Sequence, residues 1–80
     1  MASMMADVVE YLAKGLVDEP DAVRVSEDDV DGRTVVRLDV ADDDWGKVIG
    51  KNGRIATALR SMLKVAAVRE DVRAGLEIGD

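Results

Sequence analysis

The side chains in this chain that could do chemistry are concentrated in residues 45–54, Trp-Gly-Lys-Val-Ile-Gly-Lys-Asn-Gly-Arg. Gly50 and Gly53 bracket Lys51 and Asn52, an apolar pair (Val48, Ile49) leads in, and a helical pattern leaves from Arg54. Glycine brings backbone N–H groups close to a ligand because no Cβ intervenes, and it accepts the positive φ of a tight turn. A helix starting after Gly53 adds unpaired N–H groups and the positive end of its dipole. Lys51 and Arg54 add full charges at the mouth. This is chemistry for an anion, and a phosphate fits it. The plainer alternative is a glycine-rich turn between two helices, since a G-x-x-G string is common.

Charge distribution favours the anion. The net charge is −6, the wrong sign for a nucleic-acid binder, but it is unevenly spread. Residues 1–44 carry 4 basic and 13 acidic side chains, a net of −9. Residues 45–64 carry 5 basic side chains (Lys47, Lys51, Arg54, Arg60, Lys64) and no acid, and residues 65–80 carry 2 basic and 4 acidic. Fields from exposed charges fade over about 8–10 Å at ordinary salt, so a local +5 island can meet phosphate on an acidic molecule. The alternative is a helix with a solvated basic face.

Composition bounds the rest. A chain of 80 residues makes one small domain, since at this size folding buries only roughly 60% of the unfolded surface. With 48% hydrophobic and 35% charged residues it reads as folded rather than disordered. Cysteine and histidine are both absent, which removes disulfides, the usual zinc ligands and the commonest general base. No enzyme, metal or cofactor is expected. Neither a signal peptide nor a membrane-length apolar run is present, so a cytoplasmic protein is expected, with residues 1–5 as a flexible lead-in and residues 6–80 as the domain.

The elements that position the loop follow from periodicity. Over residues 6–17, Val9, Leu12, Ala13 and Leu16 recur at helical spacing, widened by Val8 and Val17, and Asp18-Glu19-Pro20 ends the helix. Residues 23–27 and 33–40 alternate as strands around an Asp31-Gly32 turn, with Val36, Leu38 and Val40 on one face. Asp42, Asp43 and Asp44 are consecutive, and consecutive carboxylates on one element do not converge on a metal. An N-cap with acidic neighbours explains them. A short helix then carries Trp45, Val48 and Ile49 inward. After the loop, Ile55, Leu59, Met62, Leu63 and Ala66 mark the strongest helix, with Arg54, Arg60, Ser61 and Lys64 opposite, and Val72, Ala74, Leu76 and Ile78 alternate as a third strand. The predicted class is α+β, in the order α-β-β-α-α-β, with a three-stranded sheet packed on helices.

Two phosphate-binding motifs fail here. A P-loop needs four residues between its glycines and Ser or Thr after the lysine, whereas Gly46 and Gly50 are separated by three and Asn52 follows Lys51. A dinucleotide fingerprint needs G-x-G-x-x-G after a strand, and a helix precedes this loop. The mode left is a G-x-x-G loop between two helices beside a small sheet, clamping about four nucleotides of a single strand.

The nonapeptide Lys47-Val48-Ile49-Gly50-Lys51-Asn52-Gly53-Arg54-Ile55, set in that element order, resembles a K-homology (KH) domain of type II. As a whole chain it is similar to the KhpA family of small bacterial single-KH RNA-binding proteins. The resemblance implies single-stranded RNA as ligand, with Gly50 and Gly53 shaping the loop and Lys51 and Asn52 facing the backbone. Lys47 and Arg54 flank it, Ile49 joins the apolar floor and Val48 the core. It also implies RNA chaperone activity or post-transcriptional regulation, roles in cell elongation and cell-wall homeostasis, and association with itself or with a KhpB (Jag/EloR)-type protein. With no phenylalanine, one tryptophan and one tyrosine, the chain lacks an aromatic stacking platform, which a KH groove does not need. Trp45 either packs half-buried against the sheet or stacks on a base. Acidity points to weak, salt-sensitive binding strengthened by pairing two grooves. The rival reading is a KH-fold protein-interaction module with little nucleic-acid binding, using a valine-rich sheet edge.

Overall fold

The computed structural model describes residues 4–79, in which the chain runs α1 (Met4–Leu16), β1 (Arg24–Val30), β2 (Arg33–Asp39), α2 (Trp45–Ile49), α3 (Arg54–Arg69) and β3 (Arg73–Ile78). Short 3₁₀ turns occupy Pro20–Ala22, Asp42–Asp44 and Lys51–Gly53. The expected α-β-β-α-α-β order is therefore present.

Local chemistry sets most boundaries. α1 buries Met5, Ala6, Val9 and Ala13. It begins earlier than expected, because Met4 and Met5 are helical and Met5 is buried; residues 1–3 of the anticipated flexible lead-in lie outside the described residues. Pro20 opens the next 3₁₀ turn at its first position, where a missing N–H costs nothing. Between β1 and β2, Asp31 and Gly32 both take positive φ (53° and 78°), as a two-residue hairpin loop of the right hand requires. That loop fixes an antiparallel register running from Val30↔Arg33 to Arg24↔Asp39.

β3 returns parallel to β2, with Val36↔Leu76 and Leu38↔Ile78. A parallel neighbour demands a crossover, and α2, the loop and α3 form it. The sheet is mixed, in the order β1-β2-β3. Val36 and Leu38 are fully buried, and with Val9, Ala13, Val48 and Leu63 they make the centre of a core between one sheet face and the helices α1 and α3. Each such valine or leucine contributes about 1.5–3 kcal/mol relative to exposure. The other sheet face, with Arg33, Arg37, Arg73 and Glu77, is open to solvent.

Some expectations need correction. Leu16 and Met62 were placed on inner stripes but are 38% and 48% exposed, because two helices lying side by side leave a flank of each uncovered. Val72 is not in β3. It lies in the cap of α3, where Val72 N–H donates to Ala67 O (3.0 Å) and Asp71 N–H to Val68 O (3.1 Å). This is a Schellman arrangement, with Asp71 rather than glycine at positive φ.

Candidate nucleic-acid interface

The loop is presented by α2, whose seating depends on a buried carboxylate. Asp44 is 1% exposed. The backbone N–H groups of Asp18 and Glu19 donate to its Oδ1 and Oδ2 at 3.2 and 3.1 Å, and Lys47 Nζ donates to Oδ1 at 3.2 Å. Burial alone pushes the Asp44 carboxyl up, but the two backbone donors and Lys47 outweigh it and hold the group below its ordinary 3.8. The N-cap expectation is thereby corrected: Asp44 occupies the N-cap position of α2 but makes no side-chain cap bond. Its oxygens instead tie the exit of α1 to the start of α2. Among the described residues no group of acidic side chains could hold a metal ion.

Of the three residues expected to turn inward from α2, Val48 is fully buried and Trp45 is partly buried against the core. Ile49 does not follow them. It is 42% exposed, beside the loop.

The loop itself is tightly specified. Gly50 has φ 76° and ψ 172°, a region essentially confined to glycine. A Cβ there would also lie 2.6 Å from Ile55 Cγ1 and 2.9 Å from the Ile55 backbone nitrogen. Asn52 (φ 57°, ψ 26°) and Gly53 (φ 73°, ψ 15°) are left-handed. Asn52 in this role was missed, though asparagine's tolerance of that region was the available signal. The first hydrogen bond of the turn runs from Gly53 N–H to Gly50 O at 3.1 Å. The N–H groups of Lys51 and Asn52 precede it and make no hydrogen bond among the described residues. Two adjacent amides are thus open to an external acceptor.

The cations divide into two groups. Lys51 and Arg54, with Arg60 and Lys64 further along α3, are exposed and form no ion pair among the described residues. Lys47 differs. Its Nζ lies 2.9 Å from Asp18 Oδ2 and 3.2 Å from Asp44 Oδ1, and hydrogen bonding to Asp18 and then Asp44 raises its pKa above the ordinary 10.5. It braces α2 from below instead of standing free at the mouth.

An apolar concavity of about 740 Å³ is on another flank, between α1 and α3. It starts at Arg54 and Ile55 and is lined with apolar groups including Leu12, Leu16 and Met62. It contains none of the four G-x-x-G residues.

Residues 6–78 match the family described as KhpA/KhpB, KH domain. The chain is 49% identical over 74 residues to the RNA-binding protein KhpA of Caldanaerobacter subterraneus subsp. tengcongensis, covering 92% of this chain and 99% of that one. To the RNA-binding protein KhpA of Halalkalibacterium halodurans it is 52% identical over 77 residues (95% and 100%), and to that of Treponema pallidum 44% over 80 residues, both chains in full. Among solved structures it is similar to Era of Aquifex aeolicus, with TM-score 0.62 and 17% identity over 94% of this chain and 29% of that one. A structure of Era in complex with nucleotides 1506–1542 of 16S ribosomal RNA matches with the same TM-score, over 92% and 28%. At such identity the likeness to Era speaks to the fold alone.

Proposed function

Because the chain belongs to the KhpA/KhpB family of KH-domain proteins, we propose that it binds single-stranded RNA through the loop Gly50-Lys51-Asn52-Gly53. The reading rests on one observation above the others: two adjacent backbone amides and the flanking cations Lys51 and Arg54, none with a partner among the described residues. Phosphate oxygens accept from the Lys51 and Asn52 amides, and the two cations neutralise the strand on either side. Gly50 and Gly53 keep the backbone bare where the strand approaches, and the half-exposed Ile49 meets an unstacked base. Lys47 acts by holding α2 in place. No proton transfer or bond making is required, so the activity is binding and not catalysis.

Likeness to the family supports a finer role as well. Residues 6–80 act as one KH domain in the cytoplasm, as an RNA chaperone or post-transcriptional regulator serving cell elongation and cell-wall homeostasis. No helix among the described residues is long and apolar enough to cross a membrane. Binding by one small groove is weak, and pairing makes the second contact intramolecular. The apolar groove between α1 and α3, with Tyr11 78% and Met62 48% exposed, is the surface for a second copy or a KhpB (Jag/EloR)-type partner. It also favours the second reading, a protein-interaction module with little RNA binding.

Lys51→Asp combined with Asn52→Asp separates the two. Both side chains are exposed, so the thermal melt stays unchanged. Affinity for labelled single-stranded RNA falls by roughly tenfold or more as attraction to phosphate becomes repulsion. Unchanged affinity would sink the RNA reading.

A further inference from the structure

A second group of cations lies at the far end of α3, ~16 Å along the helix axis from Gly53. Lys64, Arg33 and Arg73 line one cleft of about 420 Å³ at the edge of β3. Arg33 and Arg73 are direct partners in the parallel register, and like charges placed opposite each other cost stability. Neither makes an ion pair among the described residues, in a chain with 17 acidic side chains. The same sheet face resolves the problem elsewhere: Arg37 lies 3.0 Å from Glu77 and 3.6 Å from Asp28. The Arg33 guanidinium lies across the sheet over Gly75, where a Cβ would stand 2.5 Å from its Nη2.

We propose that this cleft is a second phosphate site for the strand held at the loop. The RNA leaves the loop along α3, passes Arg60 beside Ile78 and Gly79, and is neutralised at the end by Lys64, Arg73 and Arg33. Val68 and Val72, 79% and 42% exposed, give an unstacked base an apolar contact. An RNA strand fits better than an acidic peptide because the two sites are joined: Arg60 and Lys64 are one helical turn apart on one flank, and neither makes an ion pair among the described residues. The cleft thus sets how much strand is bound, without reading its bases.

This inference rests on the loop reading, and the test keeps the two apart by strand length. Two labelled single-stranded RNAs are titrated, one of about four nucleotides, as a G-x-x-G loop clamps, and one of about twelve. The wild type binds the longer strand more tightly, with a log K against log salt slope steeper by about 2, as three further phosphate contacts imply. Arg73→Glu sets a carboxylate opposite Arg33, so it keeps or raises thermal stability. It lowers affinity for the longer strand by roughly tenfold and leaves the shorter one unaffected. Lys51→Asp with Asn52→Asp weakens both. If Arg73→Glu leaves the longer strand unaffected, or if the wild type binds both equally, the extended track is wrong and the loop reading stands. Loss of binding to a polyglutamate peptide in place of RNA would assign the cleft to an acidic partner and overturn the proposal. A wild type that binds neither strand overturns both.

Discussion

A Cβ on Gly50 would meet Ile55 at 2.6 Å, whereas one on Gly53 would meet nothing within 4 Å. Both residues have positive φ, but Gly53, at φ 73° and ψ 15°, is in the left-handed region that asparagine also adopts. Gly50, at ψ 172°, is outside it. Gly50→Ala is therefore expected to destabilise the fold by about 2–4 kcal/mol, combining backbone strain with overlap. Gly53→Asn should cost less than about 1 kcal/mol. Urea unfolding of both variants checks this, and equal losses would show that the overlap at Ile55 relaxes freely. The sequence motif marks both glycines alike; the difference comes from where α3 returns.

The joint between α1 and α2 is a single carboxylate. Asn at position 44 keeps the shape of the side chain, but its amide NH₂ would face donors, either a backbone N–H or Lys47. Asp44→Asn is expected to lower the melting temperature by roughly 5–10 °C and to weaken RNA binding by loosening the helix that presents Gly50. Its pH dependence has a definite sign. The folded carboxyl titrates below 3.8, so its stabilisation is complete above that value and is lost as pH falls through the lower folded pKa. Lys47, raised above 10.5, contributes fully below that value and loses its contribution as pH rises through its higher folded pKa. Melting curves taken from neutral into acid should fall more steeply for the wild type than for Asp44→Asn. Parallel curves would mean that the carboxylate is not what holds the joint. The three aspartates were conspicuous in the sequence, yet their use was not legible, because the donors to Asp44 come from 26 and 25 positions earlier.

Over the whole molecule, charge is sorted by face more than by amount. A chain of net charge −6 keeps Lys51, Arg54, Arg60 and Lys64 exposed and, among the described residues, without an ion pair. If these four meet phosphates, log K for single-stranded RNA falls against log salt with a slope of about −3. A slope near zero would leave that face without an electrostatic role. Sequence alone determined whatever depends on neighbours within a few residues: the stripe of α3, the Asp31-Gly32 hairpin, the alternation that buries Val36 and Leu38, the glycine loop and the basic island around it. Periodicity and turn chemistry are local, so they can be read without coordinates. Tertiary structure alone decided which charges remain free. It took Lys47 out of the island by pairing it with Asp18, and it brought Arg33 and Arg73 together from 40 positions apart. Such pairings are set by how the crossover returns β3 alongside β2, and no local pattern encodes that meeting.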